Sequence, residues 1–410
     1  MTPAARLSAA IEVLDRVLAG QSAEQALVNW GRGHRFAGSG DRAALRDLVF
    51  DALRCRRSFA ALGGGHQTGQ GQTGHGLIGN GQTGHGQTGR GLILGGLRDA
   101  GQDVASLFTG EGFAPAPVGP GESGRVPTGA EALDCPEWLL ELLRASLHND
   151  TEPVLQALRR RAPVFLRVNV ARTTRAQAVA DLARDDIIAQ AHPLANTALE
   201  VTGNARKIQT SAAYLDGLVD LQDAASQAVV AALPLRAGLH VLDYCAGGGG
   251  KTLAMAARGA RVIAHDANTA RMKGLPARAE RAGAQITIVQ DPASSAPYEV
   301  ILTDVPCSGS GSWRRDPQGK WALTAARLQE IESLQARILD QAATFLAPNG
   351  CLAYATCSLL RSENEAQISA FLRRHPGWIL QRDHRFSPLQ GGDGFYLALL
   401  TGPSEQPTQL

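Results

Sequence analysis

Apolar residues recur every three or four positions through ARLSAAIEVLDRVLAG, the spacing that lines one face of a helix. A second helical run, DRAALRDLVFDALRCRRSFAAL, follows Gly40, with Asp41 placed to cap its first turn. Residues 3–62 therefore read as helices. From Gln67 to Gly91 the pattern gives way to a period of five: QTGQG, QTGHG, LIGNG, QTGHG, QTGRG. Nothing in this stretch can bury a face, and its glycine density makes ordering entropically expensive. With four repeats removed, GGGHQTGRGLILGGL runs smoothly into the next helix. The stretch reads as a repeat expansion in a loop between helices of one small domain.

Residues 111–130, EGFAPAPVGPGESGRVPTGA, are rich in proline and glycine and read as a linker. A helical pattern resumes at Pro136-Glu137-Trp138. PVFLRVNV (163–170) is a strand, TRAQAVADLA a helix and ALEVTG a strand, so residues 131–217 form a small α+β module. From about residue 218 strand and helix alternate: GLHVLDYCAG, RVIAHDAN, ITIVQD, EVILTDVP, a long helix over 323–347, then GCLAYATCS. That alternation predicts a doubly wound, mostly parallel sheet spanning 218–403, and an α/β fold class.

The 410 residues suit two or three domains, and a hydrophobic fraction of 44% suffices for buried cores. No apolar run approaches the roughly 18 residues of a membrane span. The amphipathic N-terminus carries acids and lacks the apolar centre of a signal peptide. A cytoplasmic protein without a membrane partner is expected. A net charge of +2 neither demands nor excludes nucleic acid, because distribution matters more than the sum. Basic clusters occur at Arg159-Arg160-Arg161, Arg314-Arg315, Arg373-Arg374, and Arg382 with His384 and Arg385. Each is equally readable as solvated surface. The six cysteines (55, 135, 245, 307, 351 and 357) form no CxxC pair, which disfavours a disulfide framework and structural zinc. His66, His75 and His85 in the repeat are too sparse for a metal site, and no metal is expected.

The most informative loop is Val241-Leu242-Asp243-Tyr244-Cys245-Ala246-Gly247-Gly248-Gly249-Gly250-Lys251-Thr252. An apolar strand enters four glycines and then a helix, so the backbone can approach a ligand closely. Gly250-Lys251-Thr252 fit the end of a phosphate loop, but Cys245 stands where its first glycine belongs. Asp266 ends the next strand, as an acid for ribose hydroxyls should, and Asp291 ends the third. Acids would repel a triphosphate but suit a ribose and an adenine amino group. S-adenosylmethionine is therefore favoured over ATP, with a ligand-free glycine turn as the bland alternative.

Asp304-Val305-Pro306-Cys307 follows the strand EVILT, and Thr356-Cys357-Ser358 follows GCLAYA. In a parallel sheet both strand ends face the ligand crevice, so both thiols can meet over one substrate. A cysteine alone is more often a small buried hydrophobe, which is how Cys351 reads. Two thiols suit one reaction in particular. Carbon 5 of cytosine is a poor nucleophile until a thiolate adds to carbon 6, and a second group must later help remove the carbon 5 proton. Asp304 would bond the cytosine N3 and amino edge, with the base held out of any stack.

At these residues a resemblance becomes specific. CAGGGGKT, DVPCSGSGSWRRDPQGKW and TCSLLRSENE, with QDAASQ (222–227) and LRVN (166–169), resemble the Sun-type RNA cytosine-C5 methyltransferases, above all their bacterial branch acting on 16S ribosomal RNA. The similarity covers about 136–400, and the first 110 residues resemble a NusB-like helical RNA-binding domain. The resemblance implies a Rossmann-like S-adenosylmethionine methyltransferase domain behind the α+β module and an all-α N-terminal domain. It implies Cys357 as nucleophile and Cys307 as the aid to proton removal and release. Cys245, Ala246, Gly247, Gly248, Gly249, Gly250, Lys251, Asp266, Asp291 and Asp304 would contact the cofactor or its surroundings. DNA cytosine methyltransferases use the cysteine of a Pro-Cys pair as nucleophile, and the additional TCS cysteine points to the RNA class. Gly248 stands where the family usually has proline, which implies a more flexible loop. The implied partner is ribosomal RNA, met by a monomer. Transfer RNA as substrate, a catalytically inactive RNA-binding factor, and an NTP-binding enzyme are the alternatives.

Overall fold

A computed structural model describes residues 1–64 and 87–403. Most of the repeat, with His66, His75 and His85, lies outside the described residues. The chain divides into two compact units.

Unit 1 comprises Met1–Arg144, Asn149–Arg161 and Trp313–Trp321. Its helices are α1 (Pro3–Leu18), α2 (Ala23–Gly33), α3 (Ser39–Arg54), α4 (Arg56–Gly63), α5 (Gly89–Asp99), the short α6 (Gly129–Ala132), most of α7 (Glu137–Leu147) and α8 (Thr151–Leu158). Leu7, Leu14, Trp30, Leu45, Leu53, Leu92 and Phe108 meet in one core, as the helical spacing of the apolar residues requires. The second helical run is broken at Cys55 into α3 and α4, and α3 begins before Asp41. Asp41 is therefore not the cap residue. Its carboxylate accepts from the Met1 ammonium at 3.1 Å and from Arg6 Nε at 2.9 Å.

The units cut the chain elsewhere than the boundaries drawn from sequence. Within the stretch read as a linker, Glu122 is buried and accepts from Arg90 Nε at 2.6 Å, and Arg125 N donates to Ala61 O at 2.8 Å. Most of residues 131–161 joins the helices because Asp134, fully buried, accepts from Arg57 N, Ser58 N and Arg159 Nε at 2.8–2.9 Å. The segment Trp313–Trp321 belongs to unit 1 as well. Trp321 Nε1 donates to Leu53 O at 2.7 Å, Lys320 Nζ to Arg54 O at 3.3 Å, and Arg54 Nε to Arg314 O at 2.7 Å. A buried polar group keeps its place only when paired, and these pairs are long-range in sequence.

Unit 2 holds two sheets. In chain order its elements are β1 (Val164–Val168), α9 (Arg175–Arg184), β2 (Ile188–Ala191), β3 (Ala198–Gly203), α10 (Ala212–Leu215), β4 (Val219–Leu221), α11 (Ala224–Ala231), β5 (His240–Asp243), α12 (Gly250–Ala256), β6 (Arg261–Ala264), α13 (Leu275–Ala282), β7 (Ile286–Ile288) and β8 (Tyr298–Asp304). After α14 (Pro317–Ala322), nearly all of it in the segment that joins unit 1, come α15 (Ala325–Ala343), β9 (Leu346–Thr356), α16 (Glu365–Arg374), β10 (Ile379–Phe386) and β11 (Phe395–Thr401).

The first four strands form an antiparallel sheet in the order β2-β3-β1-β4. The other seven are ordered β10-β11-β9-β8-β5-β6-β7, parallel from β9 to β7 and antiparallel at β10 and β11. Alternate residues feed opposite faces: Val241, Leu302 and Ala353 enter one core, Leu242, Ile301 and Tyr354 the other. Strand order reverses between β5 and β8. The crevice at their carboxyl ends is where an open α/β sheet binds ligands. Among the described residues, no helix is long and apolar enough to cross a membrane.

Candidate active site

The glycine turn leaves β5 and enters α12. Gly249 caps α12 with φ +79°, and a Cβ there would fall 2.1 Å from Leu275 Cδ1, so only glycine fits. Asp266, buried just past β6, spends its carboxylate on this turn: it accepts from Gly247 N at 2.9 Å, Asn268 N at 2.8 Å and Arg271 at 3.1 Å. Asp291, expected to face the ligand, is exposed after the edge strand β7 and accepts from Ala293 N at 3.0 Å. Burial pushes the Cys245 thiol far above the ordinary range, so it stays protonated.

Behind the turn lies a brace that the sequence did not disclose. Arg167, on β1 within LRVN, is buried and donates to Gln222 Oε1 at 2.7 Å and to the Gly250 carbonyl. Arg278, on α13, donates to the Gly248 carbonyl and to Asp220 Oδ2, the latter at 2.6 Å. Asp220, on β4, also takes Arg281 at 3.0 Å and stands 3.7 Å from Arg167. Burial lowers Arg167 to about 10, and the Asp220 carboxylate opposes that fall, so the guanidinium stays charged at neutral pH. Two of the four glycine carbonyls are thus tied to the small sheet and its neighbouring helix.

At the end of β5, Asp243 Oδ2 accepts from Thr252 Oγ1 at 2.6 Å, while Oδ1 is buried with no donor among the described residues. Burial raises Asp243 to about 7, and the nearby Asp304 adds to the rise. At the end of β8, Asp304 takes Lys251 Nζ at 2.7 Å. Burial alone would depress this lysine, but the Asp304 carboxylate more than compensates and raises it above its usual value. Lys251 Nζ also lies 4.9 Å from the centre of the Phe395 ring.

Cys307 and Cys357, the two strand-end thiols, come together with Sγ atoms 3.2 Å apart. The hydrogen bond to Cys357, reinforced by burial, pushes Cys307 well above the ordinary thiol range. Cys307 therefore holds its proton tightly, and either sulfur can be the donor in the contact between them. Cys351, by contrast, is raised to about 11 by burial and packs on the core, as its place within β9 suggests.

Two devices hold the pair. Gly311 N donates to Cys357 O at 2.9 Å, and Gly394 N to Gly311 O at 2.9 Å. A Cβ on Gly311 would fall 2.0 Å from Gly394 O, so the Cys307 loop crosses there only as glycine. Beneath the thiols the fully buried Glu363 accepts from Ser308 N at 2.7 Å, Ser308 Oγ at 2.5 Å, Gln335 Nε2 at 3.0 Å and Ser358 Oγ. Gln335, on α15, also donates to Pro306 O at 3.0 Å, and Asn364 joins Thr356 Oγ1 at 2.6 Å to Ser358 O at 2.9 Å. Glu363 and Asn364 lie inside the quoted TCSLLRSENE run, but nothing local in it discloses what they hold.

Several of the expected basic clusters are committed elsewhere. Arg159 pairs with Asp134 at 2.8 Å, Arg161 with Asp47 at 2.8 Å, Arg374 with Asp340 at 2.8 Å, Arg385 pairs with Glu365, and Arg314 is buried. No group of three His, Cys, Asp or Glu side chains among the described residues could hold a metal ion.

Residues 230–405 match the protein family described as 16S rRNA methyltransferase RsmB/F, and residues 135–209 match the ferredoxin-like domain of RsmF/B-like methyltransferases. The chain is similar to ribosomal RNA small subunit methyltransferase B of Salmonella arizonae, 34% identical over 282 residues, 65% of this chain and 66% of that protein. It is 33% identical over 297 residues to the protein of that name from Xanthomonas campestris pv. campestris, 67% of this chain and 68% of that one. The match takes in just under two thirds of the Salmonella protein's length. In fold it is similar to the crystal structure of PH0851, with TM-score 0.72 and 21% identity over 98% of this chain and 99% of that one. NSun6 from Pyrococcus horikoshii, solved with SFG, aligns with TM-score 0.59 and 17% identity over 66% of this chain and 99% of its own. The helical N-terminal region, the small sheet and the Rossmann-like seven-stranded sheet agree with the fold expected from the sequence. The chain belongs to the RsmB/F family of 16S rRNA methyltransferases.

Proposed function

We propose that this protein transfers a methyl group from S-adenosylmethionine to carbon 5 of a cytosine in 16S ribosomal RNA, through a transient covalent bond to Cys357. The observation that carries the reading is the 3.2 Å approach of two thiols at the ends of neighbouring parallel strands, beside a lysine–aspartate pair.

The residues present fit the cofactor. Carboxylates end or follow three neighbouring parallel strands (Asp243, Asp266 and Asp304), a set suited to a cation and a ribose and hostile to a triphosphate. Asp243 keeps a buried oxygen without a donor among the described residues. The turn from Cys245 through Lys251, with Asp266, would hold the cofactor, which supplies an electrophilic methyl group when bound.

The protein's own residues account for the rest. Cys357 adds through sulfur to carbon 6 of the extruded base, making carbon 5 nucleophilic. Asp304, held by Lys251, offers its remaining oxygen to the amino group of the ring, and to N3 once addition at carbon 6 has left a proton there. Cys307 keeps its proton while Cys357 reacts. When the carbon 5 proton passes to a solvent water and the bond to carbon 6 breaks with its electron pair going to Cys357 sulfur, Cys307 S–H stabilises the departing thiolate. A second sulfur is thus needed to end the reaction rather than to begin it.

The test uses methyl-labelled S-adenosylmethionine and total RNA from a strain lacking the gene. Transfer to carbon 5 of cytosine in 16S RNA is expected. Cys357→Ala should abolish it, and Cys307→Ala should accumulate a denaturant-stable RNA adduct. Label in transfer RNA would correct the substrate. Cofactor binding without transfer to any RNA would leave the inactive-binder reading.

A further inference from the structure

We propose that Cys307 and Cys357 are a site of reversible modification by peroxide, which joins the two sulfurs in a disulfide and stops methyl transfer until a dithiol reopens it. The effect on methyl transfer rests on the reading of Cys357 above. The disulfide itself rests on the geometry of the pair.

The sulfurs stand 3.2 Å apart, so a bond of about 2.05 Å asks for about 1.2 Å of further approach, within the reach of side-chain rotation. The two residues continue from the paired parallel strands β8 and β9, in which Asp304 faces Ala355. Paired strands run about 4.8 Å apart, inside the roughly 4.4–6.8 Å between Cα atoms that a disulfide spans. The pairing persists beyond the strands, where Val305 N donates to Ala355 O at 3.0 Å and Gly311 N to Cys357 O at 2.9 Å. Glu363 grips the residue after each cysteine, Ser308 through its N–H and Ser358 through its hydroxyl. The backbone on both sides is thus already held at disulfide spacing while the thiols are reduced.

This pair is also the one an oxidant can use. Both thiols are partly exposed, at the carboxyl ends of the sheet. Cys55 and Cys135 are buried in unit 1 and pushed up to about 12 by burial. Cys351 is raised to about 11, and burial keeps Cys245 protonated. Cys307 holds its proton, so the oxidant is met first by the sulfur of Cys357.

The chemistry balances with hydrogen peroxide as the oxidant. The Cys357 thiolate attacks one peroxide oxygen, the O–O bond breaks, and the departing hydroxide takes a proton from solvent, leaving Cys357 as a sulfenic acid. Cys307 sulfur then attacks Cys357 sulfur. The S–S bond forms, the S–O bond breaks, and the second hydroxide leaves with the Cys307 proton as water. Two sulfurs have lost two electrons, and peroxide has become two waters. A sulfenic acid without a neighbouring thiol proceeds to sulfinic acid, which a dithiol does not reverse. A disulfide is reopened by thiol exchange. The second sulfur therefore preserves the first.

The experiment treats the reduced full chain with a modest excess of hydrogen peroxide, quenches with N-ethylmaleimide, counts thiols in denaturant and maps peptides by mass spectrometry. Thiols should fall from six to four, with Cys307 and Cys357 in one linked peptide pair. Methyl transfer should fall in proportion to the linked fraction, and dithiothreitol should restore both. Cys307→Ala, with circular dichroism to confirm folding, should instead carry Cys357 as a sulfinic acid that dithiothreitol does not recover. Six free thiols after peroxide, or Cys357 oxidised in the wild type with Cys307 left free, would overturn the site while methyl transfer by the reduced chain keeps the enzymatic reading. A linked protein that methylates as fast as the reduced one would overturn the switch. A linked pair in a chain that methylates nothing when reduced would uphold the site and sink the enzymatic reading.

Discussion

Cys307 and Cys357 are fifty residues apart in sequence and 3.2 Å apart at sulfur. Each ends or follows one of two paired parallel strands, β8 and β9. The proximity is enforced from both sides: by the glycine crossing that ties Gly311 to Cys357 O, and by Glu363, which gathers Ser308 and Ser358 under the pair.

The hydrogen bond to Cys357 is the foremost cause of the high proton affinity of Cys307. Cys357→Ala should therefore lower the pH at which Cys307 is alkylated, since the thiolate is the reactive form. Iodoacetamide labelling across a pH series, read by mass spectrometry, checks this. A midpoint for Cys307 no lower in the variant than in wild type would break the link between the two sulfurs.

The brace behind the glycine turn should act on cofactor affinity. Arg278 holds the Gly248 carbonyl while Asp220 holds Arg278. Arg278→Ala removes a charge-assisted bond of about 1.5 kcal/mol or more, so Kd for S-adenosylmethionine should rise about tenfold, with kcat at saturation largely kept. Gly248 is exposed, its φ lies outside the left-handed region, and a Cβ there meets only Arg278 at 3.4 Å. Gly248→Ala in the Arg278→Ala background should recover part of the loss by stiffening the turn. Titration calorimetry measures both. A lower kcat at unchanged Kd would place Arg278 in the chemical step instead.

Asp243 sets a pH dependence of stability. An exposed aspartate titrates near about 3.9, whereas burial raises Asp243 to about 7 in the folded chain. Between those values the native state holds a proton that the unfolded chain has released. This contribution is fully present below about pH 4 and is lost as pH rises toward about 7. Asp243→Asn, neutral throughout, should gain on wild type as pH rises from about 5 to about 8 in paired urea titrations. A difference between the two that does not move with pH would mean that Asp243 is ionised in the folded state.

Much of this protein is legible along the chain. Apolar alternation into a glycine turn, acids after successive strands and two cysteines at strand ends are local patterns, and local sterics and burial turn each into a strand, a turn or a helix wherever it occurs. They sufficed to bring Cys307, Cys357, Lys251 and Asp304 to the carboxyl ends of one sheet. What the sequence could not disclose are pairings between residues far apart. Arg167 reaches Gly250 only because β1 comes up to the start of α12, and Glu363, in the turn between β9 and α16, reaches Ser308 only because β9 pairs with β8. Trp313–Trp321 reads as part of the α/β domain but joins the helices because its lysine and tryptophan satisfy carbonyls at the end of α3. Periodicity tells which face of an element is buried. Which polar groups meet beneath that face depends on element order and packing, and those were decided by the tertiary structure.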